Sequence, residues 1–274
     1  MQNHSCTCIN KNGIDYVIFN KWKNSSDLIH CFTTRNGGVS TGDCSSLNLG
    51  FNRGDIRENV IENYERICEA IGVKLDSLVL SKQVHETNIV EVTSLNKGNG
   101  IIYPNKWDSV DGIYTKERNV TLVTHYADCV PLFFYAPTSQ VIGMAHAGWR
   151  GTVQDIAKGM VDLWKNKEGI NPEEIEVAIG PSIGPCCFEV DKAVADEFIN
   201  LFGQSSFIMY NPSNSKYKID LWESNKQILI KNGILEKNIC ISSLCTSCNK
   251  DVFFSHRASE GKRGTLGAFM ALKK

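Results

Sequence analysis

The sequence predicts one α/β or α+β domain built on a mixed β-sheet. Short β-branched or aromatic runs alternate with amphipathic helical stretches along the chain, so strands and helices are interleaved rather than segregated. The 274 residues are 42% apolar, enough to fill a sizeable core. No repeat, low-complexity tract or linker divides the chain, so the expected unit is residues 1–274.

In order, residues 1–13 read as an irregular terminus, where Cys6 and Cys8 lack companions to complete a metal set. Strands are expected at Ile14–Phe19 and Leu28–Thr33, followed by the Gly-, Ser- and Asn-rich loop TTRNGGVSTGDCSSLNLG. A loop of that length suits a binding loop or lid, and Arg35 beside Gly37 and Gly38 is suited to an anion. Residues 56–71 have helical periodicity, with Asp55 and Glu58 as a capping pair and Gly72 as the stop. Short strands follow at Leu78–Ser81, Ile89–Val92 and Val120–Thr124, with His85 in the polar break between the first two. Thr152 is placed as the cap of a helix whose inner face is Val153, Ile156, Met160 and Trp164. A strand at Ile175–Ile179 leads into the loop GPSIGPCCFEV, and Asp191 caps the next helix. A helix near Leu221–Lys231, a strand at Ile239–Ser243 and a glycine-spaced tail complete the chain.

Charge excludes several classes. The 29 basic and 30 acidic residues nearly cancel without a like-charged block, which argues against nucleic acid or an anionic membrane as partner. No apolar run approaches a membrane span and the first residues lack a signal core, so a cytoplasmic location is expected. In a reducing compartment the eleven cysteines read as buried thiols with a few ligands among them.

The organising stretch is Thr124–Gly151, THYADCVPLFFYAPTSQVIGMAHAGWRG. Two apolar strands, Val130–Tyr135 and Val141–Ala145, flank the turn residues APTSQ. If they pair as a hairpin, Cys129 and His146 meet at its open end, and Gly148 and Gly151 open a helix beside them. Three protein ligands and one open position make a catalytic zinc site, and Cys129 and His146 supply two of the three. Among His4, His30, His85, His125, His256 and the carboxylates, His85 is chosen as third because its strand–break–strand setting resembles the other two. Zinc on two neutral imidazoles and one thiolate keeps positive charge and makes a bound water more acidic. The same donors fit copper, with Met144 as an axial candidate that reads better as core. A metal-free reading makes Cys129 a nucleophile with His146 as base and Asp128 nearby. Residue types favour zinc, then the cysteine nucleophile, then copper. CTSC at Cys245 and Cys248 is a lone CxxC; Cys186 and Cys187, or Cys240, offer a second pair, but no ribbon spacing is met and packed thiols are the expectation. The cytidine-deaminase signature is missing.

Taken together, KQVH, SVDG, ADCVP, HAGWRG, GPSIGPCC and CTSC…FFSHR resemble the laccase-domain family of YfiH- and YlmD-type proteins, long labelled multicopper polyphenol oxidoreductases. The resemblance runs from TTRNGGVS to the C-terminus, and the family's metal ligands match His85, Cys129 and His146. It implies an α+β fold, an α/β sandwich with a mixed β-sheet similar to the deamidating toxin CNF. It also implies phosphorolysis of adenosine, inosine, guanosine and methylthioadenosine, with hydrolytic deamination of adenosine. The partners are then purine nucleosides and phosphate, with monomer and dimer both open. Zinc is the expected cofactor and copper the substitute. His85, Cys129, His146 and Asp128 are the expected catalytic residues, with Glu86 as a second proton carrier. Arg35, Asn48, Arg150 and Tyr126 are expected at the substrate and phosphate. THYADC departs from the family pattern by placing Tyr126 where a small residue is expected, to narrow the pocket or stack on a base. The glycine-arginine tail pattern is met only in part, by Lys262, Arg263 and Gly264. A multicopper cluster needs more histidines than the six present, so polyphenol oxidation would be a side activity. A cysteine amidase and a non-catalytic metal-binding module are the other readings.

Overall fold

The computed structural model describes residues 3–273. In chain order the elements are β1 (Cys6–Lys11), β2 (Ile14–Phe19), β3 (Leu28–Thr33), α1 (Arg57–Ile71), β4 (Leu78–Leu80), β5 (Ile89–Glu91), β6 (Gly112–Thr115) and β7 (Thr121–Tyr126). The hairpin β8 (Val130–Ala136) and β9 (Val141–Ala147) follows, then α2 (Trp149–Val153), α3 (Ile156–Lys167) and β10 (Glu176–Ile179). The last third holds β11 (Glu189–Val190), α4 (Lys192–Phe202), β12 (Ile208–Asn211), β13 (Lys216–Ile219), α5 (Leu221–Lys231), β14 (Ile239–Ile241) and β15 (Leu266–Leu272).

Two six-stranded mixed sheets result, ordered β1-β2-β3-β15-β7-β4 and β14-β10-β8-β9-β6-β5, with a small third sheet β11-β13-β12. Strand alternation decides the layering. Phe133 and Tyr135 of β8 pack with Phe32 of β3 and Met270 of β15, so the two large sheets face each other. The opposite face of β8, Val130, Leu132 and Phe134, packs under Met160 and Trp164 of α3 and Phe198 of α4. On the far side Val123 and Phe269 of the first sheet meet Val60, Tyr64 and Ile67 of α1. Four layers, helix–sheet–sheet–helix, follow because the central strands are apolar on both faces. Each fully buried large apolar side chain there contributes about 1.5–3 kcal/mol.

Several expectations shift. Of the segment 1–13, Met1 and Gln2 lie outside the described residues, and residues 6–11 are not irregular: β1 pairs with β2 from Cys6↔Phe19 to Lys11↔Ile14. The signal was Asn12-Gly13, both at positive φ, a two-residue hairpin turn. The tail contains β15, hydrogen-bonded between β3 and β7. Its Gly and Ala content hides it from propensity, since small residues suit a doubly covered central position. Thr152 does not cap a helix but lies inside α2, and the chain breaks at Asp155 (φ 60°) before α3 begins. Asp55 makes no cap bond into the first turn of α1; its carboxylate accepts from Asn48 and Asn59 side chains and the Ile56 N–H.

Candidate metal centre and substrate pocket

The hairpin sets the first two donors. Pro131 is paired with His146, so Cys129 at the mouth of β8 lies beside the end of β9. His85 comes from the turn after β4, and the ligand atoms of His85, Cys129 and His146 all lie within 4.8 Å of one another. Cys129 Sγ is 3.8 Å from His85 Nε2, and the two imidazole rings are 4.8 Å apart at their centroids.

Asp111, fully buried just before β6, anchors both histidines. Its carboxylate accepts His146 Nδ1–H at 2.7 Å and the backbone N–H groups of Val84, His85 and Glu86 at 3.0–3.1 Å. Its own backbone C=O accepts the His146 N–H at 2.8 Å. Three amides converging on one carboxylate hold His85 at φ 69°, a conformation a β-bearing residue avoids without such support. With Nδ1 so engaged, His146 is left with Nε2 for a ligand, the arrangement of metal-binding histidines backed by a carboxylate. A Cβ at Gly148 would stand 3.1 Å from both Cys129 Sγ and His85 Cδ2, a tight contact that shows how closely α2 starts against the donors.

Electrostatics act in the same direction. Burial opposes ionisation of Cys129, but the imidazoles of His146 and His85 outweigh it and lower the thiol. Burial would also lower His146, yet the Cys129 sulfur and Asp111 raise it. Asp111 is lowered despite burial, by the His146 hydrogen bond and the backbone amides. A sulfur that ionises readily between two oriented imidazoles fits a divalent metal of intermediate softness.

These donors open onto a cavity of about 320 Å³ whose lining also includes Arg53, Arg263, His125, Gln83 and Asn105. Arg263 Nε is buried with no hydrogen-bond partner. Burial and the neighbouring Arg53 lower the Arg263 guanidinium to about 10. Two like charges held this close are relieved by an anion between them. His125 is pushed by burial and by His146 down to about 4 and so is neutral. Tyr64 OH donates to Leu49 O at 3.0 Å and contacts His125 Nε2 at 2.6 Å, which leaves His125 Nδ1 as the unshared ring nitrogen.

The other expected residues fall elsewhere. Asp128 (φ 84°) turns its carboxylate away from the cavity, accepting Thr246 Oγ1 at 2.6 Å and Arg257 N–H at 2.7 Å. Glu86 accepts Ser109 Oγ at 2.6 Å and does not line the cavity. Arg35 donates to Ser45 O and Lys250 O and stacks on Phe254, facing a separate 120 Å³ cleft. Asn48 is buried and spent on Asp55, Gly50 and Thr265, shaping the loop that carries Arg53. Arg150 is exposed, with its guanidinium over Trp149. Tyr126 does line the cavity, but its hydroxyl is tied to Thr124 and Ala145 O, and its ring packs 5.6 Å from that of His146. Met144 is a core residue whose sulfur faces Thr124 Oγ1. Nothing in the local sequence marks Arg53, and Arg263 belongs only to the tail pattern; β15 brings that tail back beside the 50–53 loop, where Arg53 Nε donates to Thr265 Oγ1.

Fold and site define a class: an α+β protein with two facing mixed sheets, carrying two imidazoles and one thiol over an arginine-lined pocket. Residues 29–273 match the family described as multi-copper polyphenol oxidoreductase laccase, and the chain belongs to that family. It is similar to the purine nucleoside phosphorylase YlmD of Bacillus subtilis, 40% identical over 253 residues, covering 92% of this chain and 91% of that protein. The YlmD purine nucleoside phosphorylase of Geobacillus stearothermophilus is 42% identical over 244 residues, with 88% and 89% covered. The crystal structure of the Bacillus licheniformis protein YfiH superposes with a TM-score of 0.90 at 38% identity, over 96% of this chain and 98% of that one. Among the described residues no helix is long and apolar enough to cross a membrane.

Proposed function

We propose that this protein is a purine nucleoside phosphorylase holding zinc on His85, Cys129 and His146. Its substrates are adenosine, inosine, guanosine and methylthioadenosine, and it also deaminates adenosine hydrolytically. The observation that carries the reading is the shared pocket: one cavity is lined both by the metal-donor group and by Arg263, whose buried Nε has no partner, with Arg53 as its charged neighbour. The names of the relatives support phosphorolysis of a purine nucleoside.

In phosphorolysis a phosphate oxygen bonds to C1′ as the bond from C1′ to the purine nitrogen breaks, and the electron pair leaves with the base. Arg53 and Arg263 hold the phosphate dianion, with Arg263 Nε free to donate. Neutral His125, with Nδ1 unshared, offers the same pocket a hydrogen-bond acceptor. Asp111 keeps both metal-facing imidazoles in position throughout. Zinc, when bound, supplies Lewis acidity at the reacting centre. Because the Asp128 carboxylate is consumed by Thr246 and Arg257, we assign it to support of Cys129 rather than to proton transfer.

One observation favours a second reading. Cys129, His146 and Asp111 form a thiol–imidazole–carboxylate series suited to a cysteine amidase. Product chromatography of adenosine separates the readings. Adenine with ribose 1-phosphate only when phosphate is added marks phosphorolysis, and inosine without phosphate marks deamination. Neither product, together with turnover of an amide substrate in the presence of a chelator, would overturn the proposal.

A further inference from the structure

We propose that Cys186, Cys187, Cys245 and Cys248 form a second, structural zinc site of the four-thiolate type, separate from the substrate pocket. The four sulfurs lie within 4.8 Å of one another. Cys248 Sγ is 3.4 Å from both Cys186 Sγ and Cys187 Sγ. A tetrahedral zinc at about 2.3 Å from each sulfur sets neighbouring sulfurs about 3.8 Å apart, so a small adjustment closes the set. A disulfide would join two sulfurs at about 2 Å and give the other two no reason to converge.

The backbone is built to deliver them. Ser182 and Cys245 form a parallel bridge, with Ser182 N–H donating to Leu244 O and Thr246 N–H to Ser182 O. That bridge lays the loop after β10 against the turn after β14. The Cys245 sulfur accepts the N–H groups of Gly184 at 3.2 Å and Cys248 at 3.4 Å, a pattern that stabilises a thiolate. At Gly184 a Cβ would meet Trp222 at 2.8 Å and Cys245 Cβ at 3.2 Å, so the approach needs glycine. Arg257 sets its guanidinium on Cys187 O at 2.7 Å, placing a positive charge beside a centre that would carry net negative charge. Cys186 and Cys248 are exposed, which gives an entry path, while Cys245 is buried.

The site has a purpose in the fold. Ile183 N–H donates to Asp128 O, and Thr246 Oγ1 donates to Asp128 Oδ1, so the two segments that the zinc would clip also hold the residue before Cys129. The clip therefore supports the pocket wall from behind without touching substrate.

The test is metal analysis and zinc X-ray absorption on the full chain as purified. His85→Ala/Cys129→Ala leaves the four cysteines intact, and should retain one zinc per chain with a first shell of sulfur at about 2.3 Å. Cys186→Ser/Cys248→Ser should lose one zinc per chain relative to wild type. Should the latter variant not fold, cobalt-substituted wild type reports instead, through the strong sulfur-to-cobalt charge transfer expected of four thiolates. Zinc with mainly nitrogen or oxygen neighbours in the first variant, or none, would overturn the proposal. So would an intact mass two hydrogens short per cysteine pair, which marks a disulfide, or weak charge transfer in the cobalt protein.

Discussion

Asp111 Oδ1 accepts the His146 Nδ1–H at 2.7 Å, and the same carboxylate gathers the amides of residues 84–86, so one buried group aims both imidazoles at Cys129. Asp111→Asn keeps the size but offers one acceptor oxygen and an NH₂ that faces amide donors. Metal affinity should fall about 10–100-fold, measured by chelator competition. Loss of the buried acceptor should also destabilise by about 1–3 kcal/mol in denaturant unfolding. Unchanged metal affinity would remove Asp111 from its anchoring role.

The arginine pair makes a separate prediction. Arg263→Gln should raise the KM for phosphate by about 10–100-fold, the value of a charge-assisted hydrogen bond. The KM for the nucleoside should change far less. Arg150→Ala, whose side chain lies over Trp149 outside the pocket, should leave both constants within about twofold, as expected of an exposed position. Initial rates at varied phosphate check both variants.

Gly148→Ala adds a methyl group 3.1 Å from Cys129 Sγ and His85 Cδ2. The donors have to give by a few tenths of an ångström, so zinc affinity at this site should fall while thermal unfolding moves by only a few degrees. Unchanged zinc affinity in this variant would mean that the helix start is looser than its contacts imply.

Stability should decline in mild acid. Burial against Phe19 and Trp22 pushes the His30 imidazole down to about 4, and His30 Nε2 accepts the Phe19 N–H at 2.9 Å. The unfolded imidazole titrates near about 6.5. Between those values the unfolded chain binds a proton that the folded chain refuses, so stability is full above about 6.5 and falls as the pH drops towards 4. The slope approaches about 1.4 kcal/mol per pH unit for one such histidine. His125 is lowered in the same way, so His30→Gln should remove about half of the slope in urea titrations across this window.

How much was legible depends on sequence distance. Cys129 and His146 were readable because the hairpin between them is local, and its register, Val130↔Ala147 and Pro131↔His146, brings the ends together. His85 was readable as a polar break after a short strand, whereas nothing local marks Asp111 as its anchor, because the two meet only when residues 84–86 fold onto the start of β6. Arg35 and Arg150 were plausible anion ligands by composition, but their donors are taken by Ser45 O and Lys250 O, or directed over Trp149. Arg53 and Arg263 meet only because β15 enters the first sheet between β3 and β7, and its Gly- and Ala-rich sequence gives little strand signal. All four cysteines of the quartet could be named, with Cys240 as a rival to the second pair, but read as packed thiols; their convergence depends on the long-range parallel bridge between Ser182 and Cys245.

The central claim is that the His85–Cys129–His146 group and the arginine pair serve one reaction on purine nucleosides. It is tested most directly by following adenosine with zinc-quantified wild type and with His85→Ala, each with and without phosphate. Adenine and ribose 1-phosphate are expected from wild type only when phosphate is present, falling by at least about a hundredfold in His85→Ala. Phosphate-dependent adenine release that survives unchanged in His85→Ala, or its absence from zinc-loaded wild type, would contradict it.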